Sequence, residues 1–574
     1  MASENKQKLG TFLGVYTPTI LTILGAIMYL RSGWLVGNLG LFNALVIVAI
    51  ANSITLITTL SFSSVATNEK VGVGGAYYII SRSLGLELGG AIGLPLFLSQ
   101  VFSVTLYAFG LAESVRFVLP QVPVQPVAAV IIVIVGVLSL LGAKSALKAQ
   151  IPVMVFIGIS LVALIIGAVM KSSGSLVFAQ TAPGDVSFWL GFAVFFPAVT
   201  GVMAGLGLSG DLKNPGKSIP QGAILAVLTG FVIYMFLPII LSMGASTEDL
   251  KNDTMVWAKI APFGMWLIIP GLWGAIFSSA VGSMLGAPRT LKALAMDSLV
   301  PRFLEGKKEN LDGLVPGFVV TMIIALAAVL LGDLNAVAPV VTMFFLTVYG
   351  MLNMVAAMET LSGDTSWRPK LRVPWIINLL GGLLCIMVMF LINPLFGFIA
   401  ILAEILLWSF LSRHETKRSF GDARRGVYES LIRWALMRLA GHPMSARNWR
   451  PHMLVFVSHP ESQLDLIRFG NWFSQGRGVV TVCQLIIADL LKDSLNLIQE
   501  REKIQKLVDD ENLVVFAEVN VVKDVVEGIT SVSQANGMAG LESNTVMLGW
   551  PKNKELMVEF MRVMRRLEHL KKSL

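Results

Sequence analysis

Long apolar runs, separated by short polar ones, fill the chain from about residue 11 to residue 412 and then stop. Read in windows of about 20 residues, the length a helix needs to cross hydrocarbon, they predict roughly twelve spans. These fall at 12–35, 41–66, 87–118, 124–142, 150–170, 188–210, 221–244, 263–287, 315–332, 336–360, 374–392 and 394–411. Two runs depart from the pattern. Thr17 to Leu30 (TPTILTILGAIMYL) and Phe188 to Asp211 (FWLGFAVFFPAVTGVMAGLGLSGD) carry Gly, Pro and Thr where a plain spanning helix carries Leu, Ile and Val. Backbone groups left unpaired in hydrocarbon are costly, so a broken helix persists there only when it is buried in protein or lines a wet cavity. The two breaks open the first and sixth spans. That placement predicts two halves of five spans in an inverted repeat, followed by two further helices.

Beyond residue 412 the pattern changes to short apolar runs, Met453 to Val457, Val479 to Ile486, Leu513 to Val519 and Thr545 to Gly549. They alternate with helical stretches near Asp465 to Ser474, Asp493 to Val508, Lys523 to Asn536 and Lys554 to Lys571. Strand and helix in alternation predict a mainly parallel sheet flanked by helices. The expected organisation is an α-helical polytopic membrane domain over 1–412 and a cytoplasmic α/β domain over 413–574.

Composition agrees with this reading: 55% of the 574 residues are hydrophobic and 14% charged, with a mean hydropathy of +0.73. No soluble globular chain is built that way. The net charge of +8 sits in alternate loops, at the first residues, Glu69 to Arg82, Lys144 to Lys148, Lys213 to Lys217, Arg289 to Lys308 and Arg368 to Arg372. By the positive-inside rule this places both termini in the cytoplasm, and it speaks for topology in a cell membrane rather than for nucleic acid. The first apolar run continues into a full span, so no cleavable signal is expected. Cys385 and Cys483 form neither a CxxC pair nor a disulfide framework. No nucleotide fingerprint occurs and no cofactor is expected. Gly72 to Tyr78 (GVGGAYY) follows a span rather than a strand and is read as a tight turn.

The chemistry lies in the spans. Ala275, Ser278 and Ser279 are three and four residues apart and can share a helix face; their oxygens suit a hard cation, or the hydroxyls bond back to the preceding turn. Pro197 has no N–H and frees a carbonyl near Ala193, Gly201 allows a change of direction, and Thr200 adds a hydroxyl, so the break attracts a cation or is a simple kink. Past each break the first N–H groups of a new half-helix, at Gly25, Ala26 and Ile27 and at Gly201, Val202 and Met203, point into the gap with partial positive charge and suit an anion. Tyr107 and Tyr349 lie well inside their spans, where the first can offer an oxygen to a cation and the second a hydroxyl proton to an anion. Arg31 and Glu113 stand toward the same outer end and can pair as a gate or as a structural ion pair. Glu404 is a carboxylate in mid-span, a mark of an oligomer interface or a proton site.

Several long blocks resemble the cation-chloride cotransporters: LRSGWLVG (Leu30 to Gly37), ATNEKVGVGGAYYIISRSLGLELGGAIGL (Ala66 to Leu94), FFPAVTGVMAGLGLSGDLKNPGKSIPQG (Phe195 to Gly222), SSAVGSMLGAPRTLKAL (Ser278 to Leu294), LNAVAPVVTMFFLTVYGMLN (Leu334 to Asn353) and NWRPHMLVFV (Asn448 to Val457). The resemblance implies the inverted-repeat fold of the amino acid, polyamine and organocation superfamily, usually as a homodimer. It implies sodium at the backbone of Leu21 and Leu24 with Ala275, Ser278 and Ser279. Potassium is implied among the Thr22 and Ile23 backbone, Tyr107, Pro197 and Thr200. One chloride is implied at Gly25, Ala26 and Ile27, the other at Gly201, Val202, Met203 and Tyr349. The serine pair and Tyr107 resemble the sodium-potassium-chloride branch. Thr22 and Leu24 stand where the family has an asparagine and an aromatic, and the soluble part is shorter than in animal members, as in a compact prokaryotic relative. Symport of sodium, potassium and chloride by alternating access is therefore expected. The alternative is a sodium-coupled amino-acid symporter, in which the same half-helix N-termini hold a carboxylate. A membrane-tethered sensor stands third. No catalytic cluster suggests an enzyme.

Overall fold

The computed structural model describes residues 9–68, 71, 74–148, 150–171, 186–207, 209, 212–305, 315–363, 367–412, 423–442, 449–489, 496–551 and 553–574. The chain divides into two compact units, Met1–Tyr428 and Glu429–Leu574.

Apart from an isolated bridge between Leu9 and Leu212, the described elements of the first unit are helices. Among the described residues ten helices are long and apolar enough to cross a membrane, and two shorter apolar ones, Val124–Leu140 and Val315–Leu331, stand at the fourth and ninth expected positions. The ninth is short because α14, Val315–Ala328, tightens into a final 3-10 turn over Val329–Leu331 that Gly332 ends with φ 109°.

Both expected breaks are present. A short π-helical entry, Phe12–Tyr16, leads into α1, Thr17–Ile23. The backbone then leaves helical geometry at Leu24 and Gly25 and resumes as α2, Ala26–Leu30. Arg31 interrupts it again before α3, Ser32–Asn68, in which Gly40 (φ 78°, ψ 163°) makes the corner between the first and second spans. The second break runs α8, Phe188–Phe195, a 3-10 turn over Phe196–Val199, and then α9, Val202–Gly207. Ser187 caps α8 by accepting from the Leu190 N–H at 3.2 Å. Pro197, at the start of the 3-10 turn, cannot supply an α-helical N–H and so converts the helix to the tighter coil.

Around the breaks stand α5, Leu86–Val118; α10, Pro215–Gly244; α13, Met265–Met296; and α15, Leu334–Ser362. A short helix that periodicity does not reveal, α4, Ala76–Leu84, follows a turn in which Gly74 and Gly75 take positive φ (100° and 54°), as the GVGGAYY stretch suggests for its described part. Outside these lie α6, Val124–Lys148; α7, Gln150–Lys171; α11, Thr247–Asn252; α12, Val256–Ile260; α16, Trp375–Ile392; and α17, Pro394–Ser412. Among the largest fully buried side chains, Tyr29, Phe192, Phe195 and Phe196 stand on the broken segments themselves, and Tyr234 and Tyr349 bond to their carbonyls.

The helix α18, Ala423–Ala440, crosses the division between the units. The second unit is a four-stranded all-parallel sheet in the order β3-β2-β1-β4, with β1 Met453–Val457, β2 Val480–Ile487, β3 Phe516–Val522 and β4 Thr545–Met547. Four helices, α19 Leu464–Ser474, α20 Leu497–Asp510, α21 Val525–Ala535 and α22 Met557–His569, alternate with the strands. Both faces are covered, as a parallel sheet requires. Ile467, Ile504 and Val508 pack on one face, and Ile529, Val563 and Leu567 on the other. The third strand begins three residues later than its apolar run. The run's first residues finish the turn out of α20, where Asn512 takes φ 53° and the Leu513 N–H returns to the Val508 carbonyl at 2.9 Å. Both cysteines are free and buried.

Candidate functional site

The last carbonyls of α1 have no helical partners once the chain breaks at Leu24. Two of them are met by side chains. The Ser279 hydroxyl, on α13, donates to the Ala275 carbonyl at 2.8 Å, and its oxygen lies 3.4 Å from the Leu21 carbonyl oxygen. The oxygens of Leu21, Ala275 and Ser279 therefore converge across the α1–α13 seam. Ser278, on the adjoining face, is only half-buried. The back-bonding of Ser279 and its place among oxygens coexist, because a hydroxyl that donates to one carbonyl keeps lone pairs for a cation.

The second carbonyl is that of Ile23. It accepts the hydroxyl of Tyr234, on α10, at 2.6 Å. Nothing in the spacing of α10 separates this tyrosine from an interfacial aromatic, so sequence reasoning missed it.

The two breaks lie against each other. A Cβ on Gly201 would stand 2.7 Å from the Ile23 nitrogen and 2.9 Å from the Thr22 carbonyl carbon, so only glycine lets the backbones approach so closely. Tyr107, on α5, is buried at 5% exposure. One turn on, on the same face, Gly110 has Ala26 3.1 Å from the position of a Cβ. This directs Tyr107 toward the first break, and no described residue bonds its hydroxyl. The Thr22 hydroxyl donates to the Pro18 carbonyl at 2.8 Å.

At the second break the carbonyl that Pro197 frees is not open. The Thr342 hydroxyl, on α15, donates to the Ala193 carbonyl at 2.7 Å. The freed carbonyl thus finds a donor on a neighbouring helix and, like that of Ile23, keeps a second lone pair. The Thr200 hydroxyl donates to the Pro197 carbonyl at 2.9 Å, and the Tyr349 hydroxyl to the Thr200 carbonyl at 3.1 Å. Tyr349 is held in place by Asn353, one turn on, whose amide donates to the Tyr349 carbonyl at 2.9 Å and to the Thr58 hydroxyl of α3 at 2.8 Å.

The donor side of each break lies at the start of a half-helix, α2 at Ala26 and α9 at Val202. The first N–H groups of α2 and of α9 have no partner within their own helix. The Met203 N–H makes a long bond, 3.4 Å, to the Thr200 carbonyl. First-turn N–H groups beside carbonyls and hydroxyls a few residues away can hold anions and cations side by side.

Two ion pairs join helices of this unit. Arg31 Nη2 donates to Glu113 Oε1 at 2.8 Å, the two side chains being 5% and 15% exposed, and Arg31 Nε donates to Asn335 Oδ1 of α15 at 2.7 Å. The structure thus brings together the two charges that the sequence placed at one end. At the other end of α13, Asp297, 3% exposed, is held in a fork by Arg82 of α4 at 3.1 and 3.2 Å and by the Tyr77 hydroxyl at 2.6 Å. Glu404 lies half-buried on α17.

Comparison with known proteins gives the context. Residues 14–455 match the amino acid permease family. The chain is 30% identical to solute carrier family 12 member 9 of Danio rerio, over 95% of this chain and 67% of that protein. It is 29% identical to solute carrier family 12 member 2 of Mus musculus, over 96% of this chain and 51% of the relative. With vacuolar cation-chloride cotransporter 1 of Saccharomyces cerevisiae it shares 28% identity, over 96% and 52%. The chain spans about two thirds of the length of the first relative and about half of the other two.

Proposed function

This chain belongs to the cation-chloride cotransporter family, and from that premise we propose that it is a secondary active symporter of sodium, potassium and chloride that works by alternating access. The observation that carries the reading is the paired break: carbonyl and hydroxyl oxygens on one side, the first N–H groups of a new half-helix on the other, in one buried centre. Sodium binds among Leu21, Leu24, Ala275, Ser278 and Ser279, with Ser279 the better placed of the serines. Potassium takes the oxygens of Thr22, Ile23, Tyr107, Pro197 and Thr200. One chloride meets Gly25, Ala26 and Ile27, and the other meets Gly201, Val202, Met203 and the Tyr349 hydroxyl, whose single proton turns to the anion from the Thr200 carbonyl. Bound cation and anion stabilise each other a few residues apart, which couples their movement.

Alternating access then opens the outer end by parting Arg31 from Glu113 and the inner end by parting Arg82 from Asp297. The two groups of five spans form an inverted repeat. The protein acts in the cell membrane with both termini inside, as a homodimer that covers part of the exposed apolar surface of α16 and α17, such as Leu402 and Leu406.

Thermal stabilisation tests the binding step, because a ligand of the folded state raises apparent stability. Sodium, potassium and chloride together are expected to raise the midpoint above that in N-methylglucamine gluconate, with a panel of amino acids having no effect. Stabilisation by an amino acid in the absence of chloride would favour the sodium-coupled amino-acid reading, in which a carboxylate occupies the N–H groups of Gly25 and Gly201.

A further inference from the structure

We propose that Tyr234 sets the potassium affinity of this site by holding the Ile23 carbonyl in the direction from which it meets the ion; this rests on the symport reading above. Tyr234 is fully buried, and its hydroxyl bond to the Ile23 carbonyl, at 2.6 Å, reaches from α10 into the gap between α1 and α2. Ile23 is the last helical residue of α1, and Leu24 after it has left helical geometry (φ −84°, ψ 43°). Because α1 ends at Ile23 and both Leu24 and Gly25 are non-helical, the Ile23 carbonyl has no acceptor role inside a continuous helix. Its direction is therefore not fixed by a helix, and Tyr234 is the group that fixes it.

Tyr234 is itself anchored. One turn earlier on α10, Gly230 has the Ile23 Cγ2 only 2.6 Å from where a Cβ would sit, so the two helices touch backbone to side chain at this level. The ring stands edge-on to Phe195 of α8, with centroids 5.2 Å apart at 86°, a favoured aromatic arrangement. Tyr234 thus connects three elements that bound the centre: α1 through its hydroxyl, α8 through its ring and α10 through its backbone.

A carbonyl oxygen has two lone pairs. With one given to Tyr234, the other remains for a cation, and the oxygen cannot swing away when the ion leaves. The residue acts by positioning, since the atom that meets potassium is the Ile23 oxygen. Sodium, among Leu21, Ala275 and Ser279, does not depend on this carbonyl, and neither do the N–H groups assigned to chloride.

The test is Tyr234→Phe in full-length protein reconstituted into proteoliposomes, with half-saturation measured for rubidium, sodium and chloride in turn while the other two ions are saturating. Rubidium half-saturation is expected to rise by about tenfold, the scale of one orienting hydrogen bond to a charge-binding group, with sodium and chloride within about twofold of wild type. Those two constants also report that the variant is folded. Unchanged rubidium half-saturation would overturn the proposal. An equal rise for all three ions would also overturn it, because that is the mark of general loosening. If the wild-type protein itself took up no rubidium, the symport reading would fall and this role of Tyr234 with it, an outcome distinct from a transporting wild type with an indifferent variant.

Discussion

Replacing Glu113 by Gln probes the outer ion pair with little change of shape. In the closed arrangement Arg31 donates to Glu113 Oε1 at 2.8 Å and to Asn335 Oδ1 at 2.7 Å, and both charges are largely buried. A hydrogen bond to a charged group contributes about 1.5–3 kcal/mol, roughly twice its neutral counterpart. Glutamine keeps an acceptor oxygen, so Glu113→Gln gives up about half, on the order of 1–1.5 kcal/mol, whereas Glu113→Ala gives up the whole bond. If the bond exists only when the outer end is closed, the open population rises about tenfold for Gln and about a hundredfold for Ala, at one decade per 1.4 kcal/mol. Leu30 offers the reporter position. It is 1% exposed and packs in the α2–α5 seam, 3.5 Å from the Cβ position of Gly110, beneath the ion pair. A Leu30→Cys variant, with the buried Cys385 and Cys483 replaced, would be labelled by a membrane-impermeant maleimide. Its labelling rate is expected to follow the order wild type, Gln, Ala in those steps. Rates within twofold of each other would refute a gating role and leave the pair structural.

Three further changes test separate parts of the centre. Ser279→Ala is expected to raise the sodium half-saturation of transport by about tenfold or more, and Ser278→Ala by less, because the oxygen of Ser279 stands 3.4 Å from the Leu21 carbonyl and the loss of one bond to a charged group is worth about that factor; equal effects would show that the serines share the ion. Thr342→Val leaves the buried Ala193 carbonyl without its donor, at about 1–3 kcal/mol, so its thermal midpoint should fall while Thr342→Ser stays near wild type. In the second unit, burial and then the nearby Arg450 charge hold His452 below the ordinary imidazole range, and its Nδ1 accepts from the Val479 N–H at 3.2 Å, which only the neutral ring can do. A depressed folded pKa means that stability from this group is complete above the unfolded value of about 6.5 and is lost as pH falls through the folded pKa. Amide exchange in 479–487 should therefore show an acid-side loss of protection that His452→Asn removes.

The breaks at Gly25 and Gly201 were legible because glycine, proline and threonine are anomalous inside apolar runs, and the soluble sheet because its strand and helix periods differ. Arg31 and Glu113 could be paired because charges are rare in spans and these two fall at the same depth. What stayed hidden depends on helix rotation and on contacts between distant segments. Tyr234 is one aromatic among many apolar residues of α10. Thr342 looks like any hydroxyl in a span until α15 is placed against the carbonyl that Pro197 frees. Asn353 and Thr58 are 295 positions apart and carry no joint signal. The ion pair of Arg82 with Asp297 joins a short helix that periodicity does not reveal to the residue just past α13.

Ion-dependent flux addresses the symport reading most directly. Purified full-length protein in proteoliposomes, given an inward sodium gradient, should accumulate rubidium only when sodium and chloride are both present outside, and replacing either by N-methylglucamine or gluconate should abolish the uptake. Rubidium uptake that persists without chloride would contradict the assignment of the two N–H clusters to anions and, with it, three-ion symport.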